Sequence, residues 1–284
     1  MAYHTLLGFE KEPFSTSPDP DFFYLTKEHE TALTNILIEL CLKRGLTVIF
    51  GDVGTGKTTL SRKLVQELKK RGDMTFHMIL NPTFGGERQF LSSLVKNFNI
   101  ELPIATDPNH VDIMDLRDTI EKFLIEKSVE QKKTVILIVD EAQKLNLTTL
   151  ETLRLLLNFE TNEYKLIQLV LLGQMELYSK VVNMPNFLDR VSFKYTLNPL
   201  DPQETRELIN FRISQAGYDI RRELFLDEAI GEIYNYSRGY PRKITMLCHR
   251  ILKELIMQNK LVVDRTIVRD VIEKERQSGW DKLE

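Results

Sequence analysis

The chain has 284 residues, 42% of them hydrophobic and 28% charged, with a formal net charge of −3. That length allows one large domain or two modest ones with a real core, and the composition excludes a long disordered tract. A charge this close to neutral gives no global drive toward nucleic acid, although a local basic surface in an assembly stays open. No apolar run approaches the roughly 18 residues of a membrane span, and no basic segment leads into an apolar one at the N-terminus.

Residues 1–45 are expected to form an N-terminal segment and a first helix that pack on the domain beginning at residue 46. Cys41 and Cys248 lie far apart, each in a helical apolar pattern, so buried free thiols are expected instead of a disulfide, as suits a reducing cytosol. The run Leu46-Thr47-Val48-Ile49-Phe50 predicts a strand, and Thr59–Arg71 an amphipathic helix. Between them Gly51-Asp52-Val53-Gly54-Thr55-Gly56-Lys57-Thr58 fits the phosphate-loop pattern G-x-x-x-x-G-K-[ST], with Thr59 opening the helix. Glycines let such a backbone curl so that its N–H groups face phosphate oxygens at a helix N-terminus. Lys57 then reaches the β and γ phosphates of ATP, and the Thr58 hydroxyl ligates Mg²⁺.

Further along, Phe76–Leu80, Thr134–Val139, Leu166–Leu172 and Val191–Leu197 read as strands. Arg88–Asn97, Ile113–Lys127 and Leu147–Phe159 read as helices, and Pro103–Asn109 as a surface loop. Strands apolar throughout and alternating with helices imply a parallel sheet covered on both faces. Thr134–Val139 runs directly into Asp140-Glu141. An aspartate there holds Mg²⁺ through its water shell, and the next glutamate polarises the water that attacks the γ-phosphate. After Leu200 the pattern is helical to about residue 276. It opens on Asp201-Pro202-Gln203-Glu204, an N-cap with proline in the first turn and a glutamate reaching back. No Cys/His cluster has zinc spacing and no G-x-S-x-G occurs, so Mg²⁺ is the one metal expected and a serine hydrolase is excluded.

Asp140-Glu141-Ala142-Gln143, the segment Leu150–Thr161 and Leu169–Leu177 together closely resemble the AAA+ ATPases of the general secretion pathway A (ExeA-type) family. So do Gly8-Phe9, Pro13-Phe14, Pro18-Asp19-Pro20, Phe22–Leu25 and His29 at the N-terminus. The resemblance runs from about Gly8 to the end, with pilus-biogenesis ATPases as relatives and the TnsC-type transposition ATPases as more distant ones. It implies an α/β fold: an AAA+ P-loop NTPase at 46–200, with a parallel sheet flanked by helices, and an all-helical lid at 201–284.

The resemblance also implies roles for single residues. Gln174 is a polar sensor for the γ-phosphate or the attacking water, or simply starts a turn. Arg242, in Gly239-Tyr240-Pro241-Arg242, is the lid arginine that reaches the phosphates, or a solvated first-turn arginine. Arg190 is an arginine finger acting in trans, or pairs with Asp189 or another carboxylate of its own chain; where many relatives have a second arginine, this chain has Lys194. Asn81 either hydrogen-bonds Glu141 or marks a turn, and Phe23, Tyr24 and Leu25 either wall the adenine pocket or are ordinary core. The basic residues Arg238, Arg242, Lys243, Arg250 and Lys253 form either a solvated face or a nucleic-acid surface.

The expected activity is therefore hydrolysis of Mg·ATP in a site shared between subunits of a ring or helical oligomer. The partner is expected to be a protein of a secretion or pilus system. The alternative is a regulator that polymerises on DNA for transposition target selection, and a blander reading is a switch whose output is protein binding alone. Because the sequence stops at Glu284 with no membrane segment and no peptidoglycan-binding region, either a short cytoplasmic pilus-type member, at most peripheral to the inner membrane, or a different job altogether is expected.

Overall fold

The computed structural model describes residues 3–15, 22–102, 111–219 and 221–277. The expected loop at Pro103–Asn109 and the Pro18-Asp19-Pro20 match lie outside them. Among the described residues five strands form one sheet: β1 (Leu46–Gly51), β2 (Met74–Ile79), β3 (Thr134–Val139), β4 (Ile167–Gly173) and β5 (Val191–Leu197), in the order β2-β3-β4-β1-β5. Every pairing is parallel, with Leu137 opposite Leu169 and Val48 opposite Leu171. The three inner strands are buried at every position, which is why they read as predominantly apolar runs.

The one polar side chain within β4, Gln168, is satisfied at the end of the strand: its Oε1 accepts the Gly45 N–H at 2.8 Å and its Nε2 donates to the Lys165 carbonyl at 2.8 Å. The edge strands differ. β2 is half-buried between its ends, and Leu80, expected inside the second strand, lies beyond it and is 53% exposed. An edge strand has a neighbour on one side only, so its apolar run need not end where its ladder ends.

The helices follow the chain: α1 (Tyr3–Leu6), α2 (Lys27–Cys41), α3 (Lys57–Lys69), α4 (Glu87–Asn97), α5 (Ile113–Ile125), α6 (Leu147–Leu156), α7 (Met175–Val182) and α8 (Pro185–Leu188). Phe90 and Leu94 of α4, Ile120 and Leu124 of α5, and Leu150 and Leu153 of α6 join the strands in one core. α5 runs on into a π-helical turn, Glu126–Glu130, where a continuous helix is predicted to Lys127. The sequence predicts neither α7 nor α8, because eight and four residues are too few to establish a helical period. Cys41 corrects an expectation: both thiols are free, but only Cys248 is buried. Cys41 is the last residue of α2, exposed, with the Arg71 Nη1 donating to its sulfur at 3.1 Å.

The remaining helices are α9 (Pro202–Gln215), α10 (Asp227–Ser237), α11 (Pro241–Met257) and α12 (Arg265–Gln277). The expected capping box is present: the Glu204 N–H donates to Asp201 Oδ1 at 2.7 Å and the Asp201 N–H to Glu204 Oε2 at 3.1 Å. By internal contacts the chain forms two compact units. One comprises Lys27–Asp52 and Leu60–Leu197; the other comprises Met1–Thr26, Val53–Thr59 and Asn198–Glu284.

In the second unit the N-terminal segment is part of the helical core. Phe14 packs edge-on against Phe225 at 5.9 Å, beside Ile209, Ile251 and Ile267. Arg212 of α9 holds that segment in place. Its guanidinium donates to the Pro13 and Ser15 carbonyls, each at 2.8 Å, and lies over the Phe22 ring. A planar fork with several donors suits two neighbouring carbonyls in a way a lysine does not.

Candidate active site

Two clusters of the expected residues form, one in each unit. In the helical unit the phosphate-loop residues Val53–Thr59 meet the start of α11. Gly54 has φ 85 and Gly56 φ 100, backbone that side chains resist. A Cβ at Gly54 would stand 3.0 Å from the Arg242 Cβ, and the Arg242 N–H points to the Gly54 carbonyl at 3.4 Å. So Arg242, one residue after Pro241 at the first position of α11, sits directly against the loop with its side chain exposed. Thr55 and Lys57 are buried, at 1% and 6% exposure, and α3 begins at Lys57. Gly51 ends β1, and Thr58 and Thr59 lie in the first turn of α3, the end of a helix whose dipole favours an anion.

Gly239, two residues before Pro241, is required by its surroundings. It has φ 78, and a Cβ there would lie 1.9 Å from the Leu200 carbonyl oxygen. The two residues also bond directly, Leu200 N–H to Gly239 O at 2.9 Å. The Gly-Tyr-Pro-Arg motif thus fastens the start of α11 to Leu200, two residues before α9.

In the sheet unit the cluster lies at the C-terminal ends of β3 and β4. Asp140 follows β3 and is 1% exposed. Its Oδ2 accepts from Ser61 Oγ at 3.4 Å, one helical turn past Thr58 on α3, and its Oδ1 accepts the Glu141 N–H at 2.9 Å. Glu141 is left-handed, φ 55 and ψ 35, and caps a 3₁₀ turn, Ala142–Lys144. Its carboxylate receives Gln143 Nε2 at 2.9 Å and faces Lys144 Nζ at 3.8 Å.

Asn81 does not bond Glu141. Its Oδ1 accepts from Lys144 Nζ at 3.3 Å and from Thr83, so a lysine stands between the two side chains. Gln174 caps α7 just past β4, and its backbone N–H donates to Gln143 Oε1 at 3.1 Å. Arg190 precedes β5 and donates to the Asn158 amide oxygen at 3.1 Å. Among the described residues it pairs with neither Asp189 nor another carboxylate. Burial, and then the Arg190 guanidinium, hold Lys165 below the usual lysine range, and its ammonium pairs with Glu160. Lys194 is exposed in the middle of β5.

The aromatic N-terminal residues pack within the helical unit. Phe22 is buried, and Tyr24 leans on Phe211 and hydrogen-bonds Glu207 of α9, its hydroxyl held well above the usual range chiefly by that burial and then by the carboxylate. Residues that sequence reasoning passed over are Ser61, Gln143, Lys144 and Lys180, the last donating to the Gln143 and Leu145 carbonyls. Apart from Glu141, which Gln143 and Lys144 meet from two and three residues away, their partners are distant in the chain.

Among the described residues no group of three or more His, Cys, Asp or Glu gathers to cage a metal. Of the expected ligands, Thr58 in the helical unit offers a hydroxyl and Asp140 in the sheet unit a buried carboxylate, each the kind of hard oxygen donor that Mg²⁺ takes.

Residues 24–181, over half of the chain, match a family model described as an AAA domain. General secretion pathway protein A of Aeromonas hydrophila is 36% identical over 253 residues, covering 88% of this chain and 44% of that protein. The ORC2 protein of Aeropyrum pernix, solved with ADPNP and ADP, has the same fold at a TM-score of 0.64 and 16% identity, over 93% of this chain and 71% of that one. So does the RuvB Holliday junction branch migration motor of Thermotoga maritima, at 0.56 and 16%, over 89% and 71%. The chain spans between 41% and 61% of the length of the curated relatives it matches, less than two thirds of each.

Proposed function

We propose a function from one premise: the chain belongs to the AAA domain family, the fold of ATP hydrolases. In our reading it hydrolyses Mg·ATP and couples that cycle to work on a protein assembly, with secretion or pilus machinery as the favoured partner. The observation that carries the chemistry is Asp140 and Glu141 at the end of β3. One carboxylate is buried and tied to α3 through Ser61; its neighbour is turned out in a left-handed conformation.

The backbone from Gly51 to Thr59 cradles the phosphates and Lys57 meets the β and γ oxygens. Thr58 and Asp140 hold Mg²⁺, which when bound neutralises charge on the phosphate oxygens. Glu141 orients and polarises the attacking water, and Gln174 senses the γ-phosphate. Arg242 brings charge from the lid, and Arg190 supplies it to the neighbouring subunit in a ring or helical oligomer. The partner class is supported by the 36% identity to general secretion pathway protein A. Among the described residues no helix is long and apolar enough to cross a membrane. We place the protein in the cytoplasm, reaching the envelope through its partner.

Glu141→Gln tests the chemistry. ATP should still bind, and turnover should fall by about 10²–10⁴-fold, the usual contribution of a positioned general base. Turnover within a few-fold of wild type would overturn the assignment. A second reading, a DNA-bound regulator, draws on fold relatives described as an ORC2 protein and a Holliday junction branch migration motor. It requires affinity for duplex DNA, in the presence of a non-hydrolysable ATP analogue, that falls steeply with salt. No binding at low salt would end that reading.

A further inference from the structure

Glu141 leaves the main chain from a left-handed residue, so neither strand nor helix geometry aims its carboxylate. Among the described residues the closest donor to that carboxylate is Gln143 Nε2, at 2.9 Å. The other face of the same amide is committed elsewhere, since Gln143 Oε1 accepts the Gln174 N–H at 3.1 Å. A backbone N–H can only donate. It therefore fixes which way the amide is turned: oxygen toward Gln174, nitrogen toward Glu141. The main chain of Gln143 is held as well, because Lys180 of α7 donates to its carbonyl. Lys144 Nζ stands farther from the carboxylate, at 3.8 Å, and divides its charge with Asn81.

We infer that Gln143 is a positioning residue for the proposed reaction: its amide aims the Glu141 carboxylate and ties it to the backbone just past β4. This rests on the reading of Glu141 as the residue that polarises water. Gln143 touches neither nucleotide nor water in this role. It joins the two strand ends that carry Glu141 and Gln174, so the base cannot shift without straining the start of α7. Glutamine is suited to the task because it offers one donor and one acceptor on opposite sides. A carboxylate offers only acceptors, and an aliphatic side chain offers neither.

Two substitutions separate aiming from support. Gln143→Glu keeps an acceptor for the Gln174 N–H but sets a carboxylate against Glu141; Gln143→Leu removes both bonds. In the nucleotide-free protein, hydrogen exchange at the Gln174 amide should stay slow in Q143E and speed up by about tenfold in Q143L, as expected for loss of a partly buried hydrogen bond. In both variants kcat should fall by about tenfold or more, the loss expected for one hydrogen bond to a charged group, with affinity for an ATP analogue within about twofold. Added to Glu141→Gln, Gln143→Glu should change residual turnover by less than about twofold, because nothing is left to aim.

Wild-type kcat in Q143E, with Glu141→Gln inactive, would overturn the role of Gln143 and leave that of Glu141 standing. An equal loss from Q143E with or without Glu141 would show that Gln143 does not act through it. Unchanged Gln174 exchange in Q143L would show that the strut does not exist in solution. Full activity of Glu141→Gln would instead remove the premise.

Discussion

At the scale of single residues, the candidate site spends conformational energy where its chemistry is expected. A left-handed backbone at a non-glycine residue costs on the order of 1 kcal/mol, and Glu141 persists there because Asp140 takes its N–H and Gln143 its carboxylate. Of the two readings of Asn81, the direct bond to Glu141 is absent, and Lys144 stands where it would lie. A cation at 3.8 Å holds the carboxylate by charge alone, beside the hydrogen bond from Gln143, so drawing Lys144 away would change the field at Glu141.

A second residue sets a pH response. Burial holds His77 of β2 below the usual histidine range, against the edge of Phe98 at 6.0 Å. The unfolded chain therefore takes up the proton first, at about pH 6.5. The stability that neutral His77 provides is complete above that pH. It is lost as pH falls, until the folded side chain also titrates. His77→Phe, which keeps the ring contact, should flatten the fall in urea stability between pH 7.5 and 5.5. His249 is shifted in the same direction, chiefly by burial, so part of the slope should remain. Identical slopes in the two proteins would assign the whole acid response elsewhere.

At the scale of elements, β1, β3 and β4 and their helices were legible because two periods, continuous burial and the helical stripe, are written in the residues themselves. The capping box at Asp201 was legible for the same reason, since all its parts lie within four residues. The ends of β2 and the short helices α7 and α8 were not, because neighbours decide them.

The Gly239–Leu200 crossing shows the energetic side of such neighbours. Asp201→Ala should cost about 1 kcal/mol, the usual loss of an N-cap, read from the urea midpoint at constant slope. Gly239→Ala should cost more than that, because the new Cβ meets the Leu200 carbonyl oxygen, a backbone atom that cannot swing aside. It should also weaken ATP binding, through the displaced start of α11. Equal stability losses in the two variants would mean that the crossing relaxes at little cost.

At the scale of the whole molecule, the chain divides so that the N-terminal 26 residues, the phosphate loop and the C-terminal helices count as one body and the sheet as the other. The proposed intersubunit role of Arg190 belongs to this scale, because a finger in trans is meaningless in a monomer. Arg190→Ala alone should lose most of the turnover, as should Glu141→Gln alone. Mixed in one oligomer, they should recover activity, since some interfaces then join an intact Glu141 to an intact Arg190. Strictly additive inactivity in the mixture would rule out the trans assignment. In that case the bond from Arg190 to Asn158 would be its whole function.

The sequence by itself determined the kind of protein this is. A phosphate loop between a strand and a helix, an acidic pair ending a second strand and a helical C-terminal region are local patterns, each readable within about ten residues. It also located Asp140, Glu141, Gln174 and Arg242 as points of interest. Only the tertiary structure decided what those residues touch. Gln174 is 31 residues from Gln143 and Asn81 is 63 from Lys144, yet their bonds to the turn after Glu141 form because parallel strands bring their C-terminal ends together. A hydrogen bond depends on distance in space, and no spacing along the chain records which strand ends a sheet will set side by side.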